Sequence, residues 1–167
     1  SLNIEALNAR FEQAPTQEIL QWATDSFGAR AAIGTSFQGA GIVMMHLAAS
    51  LGLRLPVFTL DTGLLFPETL ELKRRLEAFL HIAIESLTPE LSLAEQERLH
   101  GAALWGREPD ACCILRKVEP LQRKLGQLDC WITGLRREQS AGRADIRILE
   151  LYEFDPVMNC TIAKLSP

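Results

Sequence analysis

The sequence predicts an α/β domain with an open, mainly parallel sheet and flanking helices, and three observations predict it. Apolar stretches of strand length alternate with longer patterns of helical period, as they do when crossover helices join parallel strands. Small polar residues and glycines cluster where those strands run into helices, at 34–41, 60–63 and 134–143. With 167 residues, 47% of them hydrophobic, the chain is long enough to bury one core and short enough to form one domain.

Taken in order, Leu2 to Glu12 carries apolar residues at helical spacing. Thr16 is placed to cap a second helix containing Ile19, Leu20, Trp22 and Ala23. This pair is expected to cover one edge of the domain. A strand at Ala31 to Gly34, a helix at Gly39 to Ser50 and a strand at Leu55 to Leu60 follow, with Gly52 suited to stop the helix. Pro67 and Glu68 suit the first turn of a helix running to Leu80, after which Ile82 to Leu87 reads as a strand. The next stretch, Thr88 to Asp110, is more polar, with a short helix at Leu91 to Leu99. Pro109 and Asp110 start a helix through Cys112, Cys113, Lys117 and Leu125, broken at Gly126. Cys130 to Thr133 reads as a buried strand, Gly134 to Arg143 as a polar loop, and Ile146 to Tyr152 with Phe154 to Ile162 as a final pair of strands. Lys164 to Pro167 ends the chain without a closing helix.

Seventeen Lys+Arg against 21 Asp+Glu give a net charge of -4, which argues against general affinity for nucleic acid or anionic membranes. Any anion site is therefore local. No apolar run approaches the roughly 20 residues that span a bilayer, and Ser1 to Arg10 lacks the pattern of a secretory signal, so the cytoplasm is the expected compartment. The four cysteines, at 112, 113, 130 and 160, match no secreted disulfide framework and are expected as free thiols or ligands.

Ligands of an open parallel sheet bind beyond the carboxyl ends of its strands, and three loops fall there. Gly34-Thr-Ser-Phe-Gln-Gly-Ala-Gly41 reads either as an ordinary glycine turn or as an anion cradle of amides and hydroxyls at a helix N-terminus; GxxxxGK[ST] is absent. Leu60-Asp-Thr-Gly63 ends a strand with a carboxylate, a hydroxyl and a glycine; the Leu60 backbone suits an adenine edge, and Asp61 or Thr62 a ribose. Asp-Thr-Gly also marks aspartic proteases, but no second copy or all-β pattern accompanies it. The segment 134–143 sets Arg136, Arg137 and Arg143 beside Gln139 and Ser140, either as a solvated turn or as guanidinium forks for phosphate and sulfate. Adjacent Cys112 and Cys113, followed by Arg116 and Lys117, read either as small core residues or as thiolates with a metal or redox role. Cys130 and Cys160 read as inert buried thiols, and His46, His81 and His100 form no triad or zinc spacing.

Together, Ser36-Phe-Gln-Gly-Ala40, Leu60-Asp-Thr-Gly63 with Leu65-Phe-Pro-Glu-Thr69, Cys112-Cys-Ile-Leu-Arg-Lys-Val-Glu-Pro-Leu121 and Trp131-Ile-Thr-Gly-Leu-Arg-Arg-Glu-Gln-Ser140 with Arg143 resemble the assimilatory adenylyl-sulfate and phosphoadenylyl-sulfate reductases in order and spacing. The resemblance implies an adenine nucleotide α-hydrolase-like fold and reduction of a sulfonucleotide to sulfite and AMP, with thioredoxin or glutaredoxin as electron donor. It also implies self-association. In that family a cysteine pair accompanies a later Cys-x-x-Cys, a [4Fe-4S] cluster and adenylyl sulfate as substrate, whereas cluster-free members prefer the 3'-phosphorylated nucleotide. By this resemblance Cys112 and Cys113 are cluster ligands, and Lys117 lies between cluster and sulfate. Ser36, Phe37, Gln38 and Gly39 would touch the phosphosulfate, and Leu60, Asp61, Thr62 and Gly63 the adenosine. Gly134, Arg136, Arg137, Gln139, Ser140 and Arg143 would take the nucleotide side.

Gln38 stands where relatives often carry serine, and Gly41-Ile42 replaces an acidic pair common in many of them. The family continues past Lys-Leu-Ser-Pro to a second cysteine pair and a C-terminal Glu-Cys-Gly-Leu-His, whose cysteine attacks the sulfur. The 167 residues are thus expected to be one reductase domain lacking that segment, able to bind nucleotide but without the nucleophile. The competing readings are phosphoadenylyl-sulfate reduction, an ATP pyrophosphatase and a non-catalytic nucleotide-binding remnant.

Overall fold

The computed structural model describes residues 2–134 and 147–167. Six strands form one sheet in the order β3-β2-β1-β4-β6-β5. They are β1 (Ala31–Gly34), β2 (Val57–Leu60), β3 (Ile84–Leu87), β4 (Cys130–Thr133), β5 (Leu149–Asp155) and β6 (Cys160–Leu165). All neighbouring pairs are parallel except β5 with β6. The expected open, mainly parallel architecture is thus present. The edge strand β5 arises because the last two strands form an antiparallel hairpin.

One sheet face is covered by α1 (Ile4–Phe11), α2 (Thr16–Phe27) and α3 (Gly39–Ser50), whose Phe11, Ile19, Leu20, Met44 and Met45 pack with Ile33, Ile132 and Leu165. The opening helices were expected at an edge. Most of their buried apolar residues lie on the sheet face, while α1 also covers the β5 edge, where Glu5 pairs with Arg147 at 2.8 Å and the Asn8 amide bonds both the N–H and the C=O of Leu149 at 2.9 and 2.8 Å. Thr16 is not a cap: Pro15 occupies the N-cap of α2 without a side-chain bond. Gly52, at φ +68°, stops α3 as expected, with its N–H and that of Leu53 donating back to Ala49 and Ala48.

α4 (Pro67–Leu80) leads to β3, and Glu77 on it accepts the Ile84 N–H at 2.9 Å. Strands β2 and β3 begin two residues later than the apolar runs suggest, and His81 is the left-handed C-cap of α4. Then come α5 (Leu93–His100), an unexpected short α6 (Leu104–Arg107), α7 (Pro109–Cys113), a π-helical turn (Ile114–Val118) and α8 (Glu119–Leu125). Leu125 and Leu121 of α8 cover the opposite sheet face with Phe58, Ile162 and Trp131. The π turn has a local cause. In an α-helix the Pro120 ring would strike the carbonyl of residue 116, and proline has no N–H to bond it, so the turn widens and Glu119 N–H reaches Ile114 O.

The β5–β6 break lies at 156–159, not at residue 153, because Asp155 Oδ1 accepts the N–H groups of Val157 and Met158 and Asn159 turns left-handed at φ +54°. Cys160 is consequently half-buried at the start of β6, whereas Cys130 is fully buried. No helix of the described residues is long and apolar enough to cross a membrane.

Candidate functional site

The sheet order reverses at β1, whose neighbours are β2 and β4, and a cavity of about 450 Å³ opens at the carboxyl ends of these three strands. Its floor depends on close backbone approach. A Cβ on Gly34 would lie 2.7 Å from Trp131 Nε1 and 2.9 Å from Phe58 Cζ, one on Gly41 2.9 Å from Thr35 Oγ1, and one on Gly134 3.0 Å from the Gly41 nitrogen.

Ser36, Phe37 and Gln38 line the cavity, and Gly39 is the first residue of α3 behind them. Phe37 is left-handed at φ +63°, a conformation that costs a non-glycine residue about 1–2 kcal/mol. Its N–H donates to Thr35 Oγ1 at 3.0 Å and its ring packs on the core, while Thr59 Oγ1 donates to Thr35 O at 2.8 Å. The loop is therefore fixed. Beyond it, α3 begins with no side-chain cap and no acidic residue in its first turn, so its first N–H groups and the positive end of its dipole suit an anion.

Leu60 and Thr62 also line the cavity, but Asp61 and Gly63 do not. Asp61 Oδ1 accepts the Gly63 N–H at 3.0 Å and Thr62 Oγ1 the Leu64 N–H at 3.2 Å, so these side chains shape the loop. Gly134 lines the cavity; Arg136, Arg137, Gln139, Ser140 and Arg143 lie outside the described residues. Lys117 reaches the cavity from the π turn.

The cysteine pair does not converge. Cys112 is 5% exposed and accepts a bond from Gln96 Nε2 at 3.8 Å, whereas Cys113 is exposed. Arg116 is not a cation facing the thiols: it turns inward, 3% exposed, and donates to the backbone carbonyls of Thr62 and Leu91 and to Gln96 Oε1 at 2.8, 2.5 and 3.4 Å. Among the described residues no three His, Cys, Asp or Glu side chains gather as a metal site. Two thiols are at most half of the four that a [4Fe-4S] cluster takes, and with Cys112 buried and Cys113 exposed the described residues do not by themselves form its site. Burial, followed by the charge of Asp129, pushes the Cys130 thiol up to about 12, which keeps it neutral and unreactive.

Sequence reasoning missed the cavity's apolar wall. Phe58, Leu65, Leu121 and Trp131 read as core residues in their own elements, and only the sheet order brings them together. Lys164 Nζ sits 5.3 Å from the Trp131 ring and 5.0 Å from that of Tyr152, holding the indole from outside the cavity. Trp131 Nε1, against Gly34, is the buried side-chain polar atom without a partner among the described residues. Gln96, 2% exposed, was also missed, because a glutamine in an amphipathic helix reads as solvent-facing.

Comparisons with known proteins follow the same lines. The profile described as "Phosphoadenosine phosphosulfate reductase domain" matches residues 30–161. An "Adenosine 5'-phosphosulfate reductase" of Salinibacter ruber is 45% identical, over 96% of this chain and 66% of its own length. "Adenosine 5'-phosphosulfate reductase 2" of Bacillus subtilis is 38% identical, over 87% of this chain and 62% of its own. The chain therefore spans just under two thirds of these relatives. Among solved structures, a phosphoadenylyl-sulfate reductase of Candida auris in a phosphate complex superposes with a TM-score of 0.82 at 27% identity, covering 100% of this chain and 80% of that one.

Proposed function

Because this chain belongs to the phosphoadenosine phosphosulfate reductase domain family, we propose that it is the nucleotide-binding part of an enzyme reducing adenylyl sulfate to sulfite and AMP. One observation carries the reading: Lys117, the uncapped start of α3 and an apolar wall of Phe58, Leu121 and Trp131 meet in one cavity. That combination suits a flat base at one end and a doubly anionic phosphosulfate at the other. Leu60 offers backbone groups to the adenine edge, and Ser36 to Gly39 hold the phosphosulfate. Gly134, with Arg136, Arg137, Gln139, Ser140 and Arg143, takes the nucleotide side.

The reaction is a two-electron reduction. A thiol attacks the sulfur, the bond from sulfur to the bridging phosphate oxygen breaks, and AMP leaves. A second thiol then releases sulfite and closes a disulfide. Lys117 would stabilise negative charge on the sulfonate as AMP departs. Relatives are longer than this chain, and the attacking thiol is assigned to sequence outside these 167 residues. A thioredoxin or glutaredoxin dithiol supplies the electrons in a reducing cytoplasm. Cys112 and Cys113 would supply two thiolates to a [4Fe-4S] cluster whose other ligands lie in that further sequence; such a cluster is anionic, and Lys117 would offset its charge beside the sulfonate. Self-association is proposed with the family.

Titration calorimetry of this chain with AMP and adenylyl sulfate, with iron analysis and sulfite assays on the full-length enzyme, tests the reading. Tight binding of both and preference for adenylyl sulfate over its 3'-phosphorylated form are expected. Faster turnover of the 3'-phosphate would replace the substrate, and pyrophosphate release from ATP would replace the reaction class. Lys117→Ala in the full-length enzyme is expected to cut sulfite formation by about 100-fold or more with little change in Tm.

A further inference from the structure

A buried chain of polar groups runs behind the cavity without entering it. Gln96, on α5, is bonded inside the protein at both ends of its amide: its Nε2 donates to Cys112 Sγ at 3.8 Å and its Oε1 accepts from Arg116 Nη1 at 3.4 Å. Arg116 Nε donates to Thr62 O at 2.8 Å and Nη1 to Leu91 O at 2.5 Å. A Cβ on Gly63 would lie 3.0 Å from Arg116 Nη2, so the loop after β2 sits directly on the guanidinium. Three stretches of chain, at 62–63, 91–96 and 112–116, are joined at this one side chain and its glutamine.

Arg116 makes no ion pair among the described residues, and burying a cation against neutral oxygens alone is costly. Its bonds satisfy two backbone carbonyls and an amide oxygen that apolar packing would leave unpaired. Arg116 also holds two cavity residues at once. It grips the carbonyl of Thr62, and by anchoring residue 116 inward at the widened π turn it directs the next residue, Lys117, to the cavity.

We propose that Gln96 is a positioning residue: acting through Arg116, it sets Thr62 and Lys117 in the wall of the nucleotide pocket while touching neither ligand nor cavity. The proposal rests on the reading above only in taking the cavity as that pocket. Gln96 also ties the loop to Cys112, so the geometry of the cysteine and that of the pocket share one amide.

The test compares Gln96→Leu and Gln96→Glu in this chain, with AMP as the probe for binding and amide exchange at 62–64 as a probe that needs no ligand. Gln96→Leu removes the acceptor for Arg116. It is expected to weaken AMP about five- to tenfold and to speed exchange at 62–64 by a similar factor. Gln96→Glu keeps an acceptor for Arg116, now a carboxylate paired with the guanidinium, and gives up the donor to Cys112, so AMP binding is expected to stay within about twofold of the parent. A merely structural role would lower Tm in both variants without this split. Unchanged exchange at 62–64 in Gln96→Leu overturns the proposal whatever AMP does, and faster exchange with unchanged AMP affinity overturns it as well. Failure of the parent chain to bind AMP counts against the nucleotide reading, and the exchange data still decide whether Gln96 holds the loop.

Discussion

At the scale of single residues, position decides what each cysteine can do. Cys113 is exposed, Cys160 half-buried and Cys130 fully buried with its thiol pushed up to about 12. Alkylation at pH 8 is expected to modify Cys113 first and leave Cys130 unmodified until the protein unfolds; mass mapping checks this, and early loss of the Cys130 thiol would contradict its burial. Gly34 tests the cavity floor. Gly34→Ala places a Cβ 2.7 Å from Trp131 Nε1 and is expected to cost about 1–3 kcal/mol, read by denaturant unfolding, with weaker AMP binding as the indole shifts. Residue types alone indicated the small polar loops, because glycines and hydroxyls at strand ends have few uses. They did not indicate Trp131 or Phe58, whose roles depend on which strands become neighbours.

At the scale of elements, the strands of the sheet interior were legible because burial on both faces makes them continuously apolar, as in Ala31 to Ile33. The final hairpin was legible only in part. The two strands were expected to part between Tyr152 and Phe154, yet the turn is made later by Asp155 and Asn159. The π turn was invisible, since 109–125 keeps a helical apolar pattern and the cause, Pro120, acts on the carbonyl four residues earlier. Pro120→Ala restores an N–H for that carbonyl. The turn is expected to tighten and rotate Lys117 away, weakening AMP about tenfold with a Tm change of only a few degrees. Calorimetry with and without AMP reads both quantities, and equal affinity would detach the π turn from the site.

At the scale of the whole molecule, charge sets the pH range of stability. The Arg30 bond holds the Asp129 carboxyl below its ordinary range, and the Ile84 N–H, with Lys73 behind it, does the same for Glu77. Both folded values are depressed, so their contribution is present above the unfolded values near about 4 and is lost as pH falls through the folded ones. Cys130 works in the opposite direction: its raised value favours folding below about 9, and that contribution declines between about 9 and 12. Urea midpoints are expected to form a plateau from about pH 5 to 8 and to fall on both sides, and Glu77→Gln is expected to flatten the acid limb. An unchanged acid limb would remove Glu77 from it.

The place of β6 between β4 and β5 has a consequence for synthesis. As the chain emerges from the ribosome, β1 to β4 can pair while one side of β4 still lacks its neighbour. Asn8 waits 141 residues for Leu149. Until residues 160–165 arrive, the nascent sheet presents an open parallel edge, which is slow to close and prone to join another chain. The demand for chaperone protection therefore falls between the emergence of β4 and that of β6, when most of the sheet already exists.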